Sequence, residues 1–323
     1  MKISTISISN TVAQDQYEVG LGPMTFEVDV NDGSSITLPD AFTAPIRPDL
    51  VRRAVRAAQA NRRQAYGSRA HGGKRKPMAG MQHSVEWWGK GRGVSRIMRI
   101  TGMRTGAHNP HTVGGRRAHG PKVEKNWSQK INASERRSAR QSALAAVVDV
   151  DTVKARGHRL DDDVKQLPII LEDYTEIVDG KKTTNSFEEF TSTKPTRKMI
   201  AILRALGLGP DLDRARKGRH RRAGRGKMRG RVTRQPKSIL IVTNGGESLE
   251  RAARNIPGVD VIPLRHLSTE NLAPGGDLGR LTVVTRDPRG AALHTVADVG
   301  SAWVVVVACL DRESGTDPCC TLV

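Results

Sequence analysis

Two stretches of this chain, residues 62–125 and 214–237, carry so much positive charge and glycine, against so little acid, that neither reads as an ordinary globular surface. The first holds Arg62, Arg63, Arg69, Lys74, Arg75, Lys76, Lys90, Arg92, Arg96, Arg99, Arg104, Arg116, Arg117, Lys122 and Lys125, and its acids are Glu86 and Glu124. The second holds Arg214, Arg216, Lys217, Arg219, Arg221, Arg222, Arg225, Lys227, Arg229, Arg231, Arg234 and Lys237, with no acid at all. Their formal charges are +13 and +12, while the whole chain is +20, so everything else nets −5. A mildly acidic body with two cationic inserts places its charge where a polyanion must lie. The expectation is that the inserts gain their shape only against that partner.

The 323 residues allow one large or two small domains, and 37% apolar content is low for a globular chain because the inserts are not core. Aromatics make up only 3%, so the core is expected to be aliphatic. Trp87, Trp88 and Trp127 lie in or just beyond the first insert, a placement that points to base stacking. Cys309, Cys319 and Cys320 all fall near the C-terminus, so no disulfide framework is expected and the compartment reads as cytosolic. The opening MKISTISISN lacks the pattern of a secretory signal. The longest apolar run, 302–310, is far short of the roughly 20 residues of a membrane helix. No membrane partner is expected.

Alternation at Ile3, Ile6 and Ile8, at Phe26, Val28 and Val30, and around Ile36 and Leu38 predicts three short strands. Asp49 after Pro48 reads as an N-cap for a helix over 50–64, with Leu50, Val51, Ala54, Val55 and Ala58 apolar. Residues 66–125 show no sustained period of 2 or 3.6 and are broken by twelve glycines, which predicts one extended excursion ordered by a partner. Asn132 precedes Glu135 by three, a capping-box spacing that opens a second helix expected to pack beside the first. A buried strand over 167–171 and a helix over 196–206 ended by Gly207 and Gly209 come next. Beyond the second insert the pattern is strand 238–243, glycine turn, helix 248–255, strand 259–262, Pro/Gly loop and strand 281–285. Strands alternating with helices predict an α/β fold, a single globular domain with a mainly parallel sheet flanked by helices. The body then comprises residues 1–61, 126–213 and 238–286, the inserts 62–125 and 214–237 are loops, and 287–323 is a tail of unassigned role.

The strongest functional signal is Trp87-Trp88-Gly89-Lys90-Gly91-Arg92-Gly93 with Gly114-Gly115-Arg116-Arg117-Ala118-His119-Gly120-Pro121-Lys122 downstream. The competing reading is a disordered basic segment. This one is internal, bounded by helices, and contains Trp, Ile97, Met98 and Ile100, which solvated low-complexity segments usually lack. No basic helix long enough for a major groove and no zinc-finger spacing is present, so irregular Gly/Arg segments favour folded RNA over DNA. Arginine outnumbers lysine in both inserts and can bind phosphate bidentately or stack on bases. The candidate RNA-binding side chains are those named for residues 62–125 apart from Arg69, with Trp87, Trp88 and His119, and in the second insert Arg219, Arg221, Arg222, Arg225, Lys227, Arg229, Arg231 and Arg234.

Other chemistry is weak. His71, His83, His108, His111 and His119 cluster, but structural zinc usually takes Cys at short spacing and none is near, so no metal is expected. The turn Thr243-Asn244-Gly245-Gly246 after a strand lacks both phosphate-binding glycine patterns and reads as a plain βα turn, so no cofactor is expected. Asp161, Asp162 and Asp163 read as a solvated loop, and no nucleophile sits in a recognisable motif. The chain therefore reads as no enzyme. The alternative is an RNA-modifying or nucleotide-dependent enzyme with basic substrate-recruiting loops, which needs a polar pocket at the C-terminal edge of the sheet. A free DNA-compacting protein ranks last.

Five stretches carry a resemblance: 45–50 (PIRPDL) with 57–62 (AAQANR), 88–93 (WGKGRG), 114–119 (GGRRAH), 140–146 (RQSALAA) and 272–276 (LAPGG). In this order they resemble the archaeal/eukaryotic-type L-four family of large-subunit ribosomal proteins, over roughly residues 38–285. The resemblance implies an α/β body on the outside of the large subunit and a loop, here 62–125, that threads through large-subunit rRNA toward the peptide exit tunnel. It implies a structural role acting early in subunit assembly, with rRNA, neighbouring large-subunit proteins and the nascent peptide near the loop tip as partners, in cytoplasmic ribosomes. The segment before Leu38 is longer than the pattern, and the residues after Arg286 are unmatched.

Overall fold

The apolar positions near the N-terminus build two long strands rather than three short ones. β1 (Lys2–Thr11) pairs antiparallel with β2 (Glu27–Thr37), which absorbs both later predicted strands and is bulged against β1 between Ser4 and Ile6. The computed structural model describes residues 2–11, 27–68, 85–113, 115, 118–162, 164, 166–178, 181–185, 187, 190, 194–243, 247–286, 296–299 and 302–305. Residues 59–129 form one compact unit and the rest of the chain another.

In chain order, helix α1 (Pro48–Asn61) precedes β3 (Val85–Trp87) and β4 (Met98–Ile100), two short strands inside the segment expected to hold none. Next come α2 (Ala133–Val148), α3 (Val150–Ala155), β5 (Ile169–Val178), β6 (Lys181–Asn185) and α4 (Pro195–Leu203). After α5 (Gly209–Lys217), the second insert contributes β7 (His220–Arg221) and β8 (Thr233–Arg234). The βα alternation of the last third follows as β9 (Leu240–Thr243), α6 (Glu247–Ala253), β10 (Asp260–Pro263), α7 (Thr269–Leu272) and β11 (Thr282–Thr285). The tail adds an antiparallel pair, β12 (Val296–Val299) and β13 (Ala302–Val305).

The main sheet has the order β10-β9-β11-β5-β1-β2, with β6 attached to β5. The four pairings from β10 to β1 are parallel, and β1–β2 and β5–β6 are antiparallel. The fold is thus the mainly parallel α/β class the sequence predicts. β1 is an inner strand, so the segment that looked like an N-terminal addition is part of the sheet itself. Its partners on β5 lie some 165 residues away, too far for any local pattern to announce.

Side-chain alternation sends Ile239 and Ile241 to one face and Leu240 and Val242 to the other, and both faces are covered. On the first face Ile8, Ile169, Leu171 and Val283 meet Val153 of α3, Met199, Ile202 and Leu203 of α4, Leu212 of α5 and Leu249 of α6. On the second, Val51, Ala54 and Val55 of α1 pack with Ala139, Ala143 and Val147 of α2 against Leu240, Val242 and Val284. The described core is aliphatic except at two places: Phe42, packed with Ile3, Ile36, Leu38 and Ile170, and the cluster Tyr174, Phe187 and Phe190, whose ring centroids lie 5.1–6.3 Å apart. The Lys198 ammonium sits 4.2 Å from the Tyr174 ring centre.

Two expected caps are made differently. Helix α1 begins at Pro48, whose fixed φ suits a first turn, and Asp49 lies inside that turn paired with Arg47 at 3.0 Å. Asn132 holds the N-cap position of α2 without a side-chain cap bond, and Glu135 turns instead to Arg53 of α1, which donates to it at 2.7 Å. Gly207 does interrupt the fourth helix at φ 73°, but Pro210 restarts a helical segment at once. Arg214, Arg216 and Lys217 therefore close α5 and do not begin a loop. Cations at a helix C-terminus are favoured by the backbone dipole. The turn at 244–246 and Asp163 lie outside the described residues.

Candidate nucleic-acid interface

The second insert leaves the body as a hairpin. Gly218 ends α5 by donating to the Arg214 and Arg216 carbonyls, and a Cβ there would lie 2.5 Å from Pro236, so the two arms of the insert nearly touch at its base. β7 and β8 pair as two residues each, extended by the Arg222 amide donating to the Val232 carbonyl at 2.9 Å. A single tight turn, Arg225–Arg229, crowns the hairpin and is closed by Gly230 at φ 78°. The Arg231 amide donates back to Gly226 at 3.1 Å, and Lys227 Nζ to the Ala223 carbonyl at 3.2 Å. Arg219, Arg221, Arg225, Arg229, Arg231 and Arg234 are exposed, and Lys227 and Arg222 are half-buried. Among the described residues no acid pairs with any of these eight.

Acids of the body instead hold the two ends of this insert. At the entry, Arg214 Nε donates to Asp211 Oδ1 at 2.8 Å, and its Nη2 donates to the Lys237 carbonyl at 2.9 Å. Asp211 is fully buried and also takes hydrogen bonds from the Ser238 hydroxyl and the Arg159 amide, with His158 Nδ1 3.1 Å away. Burial alone would raise its pKa, but hydrogen bonds from His158, Arg214 and Ser238 outweigh it and hold the carboxyl far below the usual range. Ser238 bonds the carboxylate and not the imidazole, so the trio is no nucleophile–base arrangement. At the exit, Lys237 Nζ reaches both Asp260 oxygens at 2.7 and 2.8 Å. Arg280 shares that carboxylate at 2.6 Å and donates to the carbonyls of Ser238, Ile239 and Asn271.

The first insert has a stem and a knob. In the stem the Ser68 amide donates to the Pro121 carbonyl at 3.0 Å, and a Cβ on Gly67 would meet the Val123 backbone at 2.8 Å. Tyr66 packs on Trp127 with centroids 4.8 Å apart, and Lys125 Nζ lies 5.4 Å from the Trp127 ring. In the knob β3 pairs with β4, and the Ala107 amide donates to the Met98 carbonyl at 2.8 Å. Glu86 accepts from the Trp88 indole at 2.5 Å and from the Gly102 amide at 3.3 Å, which holds its carboxyl below the usual range. The Arg92 and Arg99 guanidinium carbons lie 4.6 and 5.3 Å from the Trp88 ring centre.

Both inserts therefore have hydrogen-bonded frames of their own, contrary to the expectation that a partner alone shapes them. Three-residue strands and one-turn helices leave no periodic trace in sequence. Of the candidate ligands here, Arg62, Arg63, Lys90, Arg92, Arg96, Arg104, His119, Lys122 and Lys125 are exposed. Arg99 is not: it is buried, and its guanidinium donates to Ser95 Oγ at 3.0 Å and to the carbonyls of Ser95 and Arg104. It braces the knob. Of the tryptophans predicted to stack, Trp88 and Trp127 are engaged within the insert, whereas Trp87 is 63% exposed. Lys74, Arg75, Lys76, Arg116, Arg117, His71 and His83 lie outside the described residues.

Sequence reasoning missed Asp211, Asp260, His158 and Arg280, which tie the second insert to the body. The only local signal is that Asp211 and Asp213 directly precede the cationic run. The LAPGG stretch is explained by its surroundings. Gly275 and Gly276 have φ of 80° and 92°, and a Cβ on Gly276 would approach Arg52 to 3.1 Å. Arg156 donates to the Pro274 and Leu278 carbonyls, and burial lowers its pKa to about 10.

The large ribosomal subunit protein uL4 of Methanopyrus kandleri is 42% identical over 265 residues, covering 80% of this chain and 93% of that protein. That of Halorubrum lacusprofundi is 42% identical over 272 residues, covering 84% and 97%. That of Methanoculleus marisnigri is 45% identical over 250 residues, covering 77% and 90%. The sequence profile described as the ribosomal protein L4/L1 family matches residues 36–288, a span that begins at the end of β2 and takes in the later strands of the main sheet and both cationic inserts, and the chain belongs to that family.

Proposed function

We propose that this chain is a structural constituent of the large ribosomal subunit, without catalytic activity, that binds large-subunit rRNA through both cationic inserts. One observation carries the reading: the second insert is fastened to the body by acids at its two ends, while the cations between them have no acid partner among the described residues. A surface so arranged repels itself until phosphates lie against it. The body fixes the direction in which the hairpin points. The first insert, residues 62–125, is the arm that runs among the rRNA toward the exit tunnel, with Trp87 the aromatic side chain free to stack on a base and the nascent peptide near its tip. Lys74, Arg75, Lys76, Arg116 and Arg117 belong to this surface by charge. Neighbouring large-subunit proteins are the remaining partners, and the place of action is the cytoplasmic ribosome.

The test is a salt titration of the full chain against large-subunit rRNA fragments. With about 6–10 phosphates neutralised, affinity drops by three to five decades between 50 and 200 mM salt. A nearly flat titration, or absence of the chain from large subunits on a sucrose gradient, overturns the proposal.

A further inference from the structure

The crown of the second hairpin carries a side chain that charge neutralisation does not explain. Met228 sits in the one-turn helix Arg225–Arg229, between Lys227 and Arg229, and is 73% exposed, the most exposed large apolar side chain of the second insert. A solvated cationic turn has no need of an apolar side chain, and a lysine or serine there would leave the backbone bonds of the turn intact. The ground on either side is bare as well: a Cβ built on Gly224 or Gly230 meets nothing within 4 Å. Glycines placed this way let a partner surface come against the turn.

We infer that Met228 is an apolar wedge that seats against base and ribose edges in the shallow minor groove of an RNA helix, while the surrounding arginines take the phosphates. This rests on the rRNA-binding reading and sharpens it, because it separates a contact that reads RNA surface from contacts that only neutralise charge. The occupant follows from charge complementarity, since no acid is present from Arg214 to Lys237. A wide, shallow A-form minor groove admits an unbranched flexible side chain, and methionine is among the residues that wedge into nucleic-acid grooves.

The experiment binds full-length Met228→Ala, Met228→Leu and Arg229→Gln chains to a large-subunit rRNA fragment across a salt series. Met228→Ala is expected to weaken binding about tenfold, the scale of one apolar side chain left unburied, with the slope of affinity against salt unchanged. Met228→Leu keeps near-native affinity. Arg229→Gln lowers the slope by about one. In parallel, sulfoxide formation at Met228 under hydrogen peroxide is expected to slow several-fold once the chain is bound to the bare RNA. If Met228→Ala binds like the native chain, or its oxidation is as fast in the complex as outside it, the wedge is refuted. Protection that arises only in whole subunits and not with bare RNA assigns the side chain to a protein neighbour and also refutes it. An unchanged slope for Arg229→Gln, by contrast, counts against rRNA binding by this hairpin as a whole.

Discussion

Arg280 donates to Asp260 at 2.6 Å from a position 1% exposed, while the exposed Lys237 grips the same carboxylate at the exit of the cationic hairpin. One acid thus neutralises a core cation and anchors an insert. Removing it leaves Arg280 with three carbonyl acceptors and no carboxylate in contact, Asp211 being the remaining nearby acid, a situation close to the broken buried pair that costs about 3–5 kcal/mol. Asp260→Ala is expected to fall in that range by urea unfolding. Lys237→Ala, which breaks a half-exposed pair, should cost under about 1 kcal/mol. Equal losses for the two variants would contradict this division.

Acid sensitivity follows from the same anchors. Asp211, Asp260 and Glu172 all have pKa values lowered by folding: burial raises each one, and hydrogen bonds and neighbouring cations more than offset it. The unfolded chain therefore takes up protons at higher pH than the folded one, so stability is complete above the unfolded values, 4.5 for Glu172 and 3.8 for the two aspartates, and declines as pH falls through them. The urea midpoint is expected to be flat near neutrality and to drop steeply from about pH 4 downward. Asp211→Asn should lower the plateau and shrink the acid-induced drop. An undiminished drop in that variant would assign the sensitivity to other carboxylates.

What the sequence could say about this fold depended on range. Ile239 to Val242 announce a strand buried on both faces, and the apolar stripes of α1 and α2 announce their packing, because each signal lies within ten residues. The inner position of β1 does not, since its parallel partners Leu171 and Tyr174 come from the far side of the first insert. β6 has the sequence Lys-Lys-Thr-Thr-Asn, which has no apolar face to read. In the interface, charge alone located both inserts and most of their exposed cations. It could not tell Arg99, turned inward onto carbonyls, from Arg96, which faces solvent. Nor could it find Asp211, whose burial depends on Ser238 and His158, far off in sequence.

Arg99 and Arg104 provide the sharpest contrast in the first insert. Arg99 holds the Ser95 and Arg104 carbonyls and lies beside Trp88, whereas Arg104 is exposed. Arg99→Ala is expected to open the knob, so that trypsin cleaves after Arg104 several-fold faster in the RNA-free chain. Arg104→Ala should leave the knob closed and lower the salt slope of rRNA binding by about one. If Arg99→Ala leaves proteolysis unchanged and lowers the slope like Arg104→Ala, Arg99 is a phosphate ligand after all.

Gly33 and Gly224 separate a glycine that packing requires from one it does not. At the bulge of β2, a Cβ on Gly33 would lie 2.6 Å from Thr5 Oγ1 and 2.7 Å from Glu172 Oε2. Those groups belong to one polar junction. Glu172 Oε1 accepts from Thr5, Ser34 and Arg286 at 2.6 Å each, joining β1, β2, β5 and the end of β11. A methyl group there pushes the carboxylate off three donors, of which Thr5 has a second acceptor at 2.7 Å, the Ser34 carbonyl. Gly33→Ala is therefore expected to cost about 1–3 kcal/mol, the usual range for an overpacked site. Gly224 has open space around its Cβ and no left-handed backbone, so Gly224→Ala should be neutral or stabilise by up to about 1 kcal/mol through the unfolded chain. Thermal unfolding of the two variants side by side decides the matter: a Gly33→Ala chain as stable as the Gly224→Ala chain would mean that the bulge yields without disturbing Glu172.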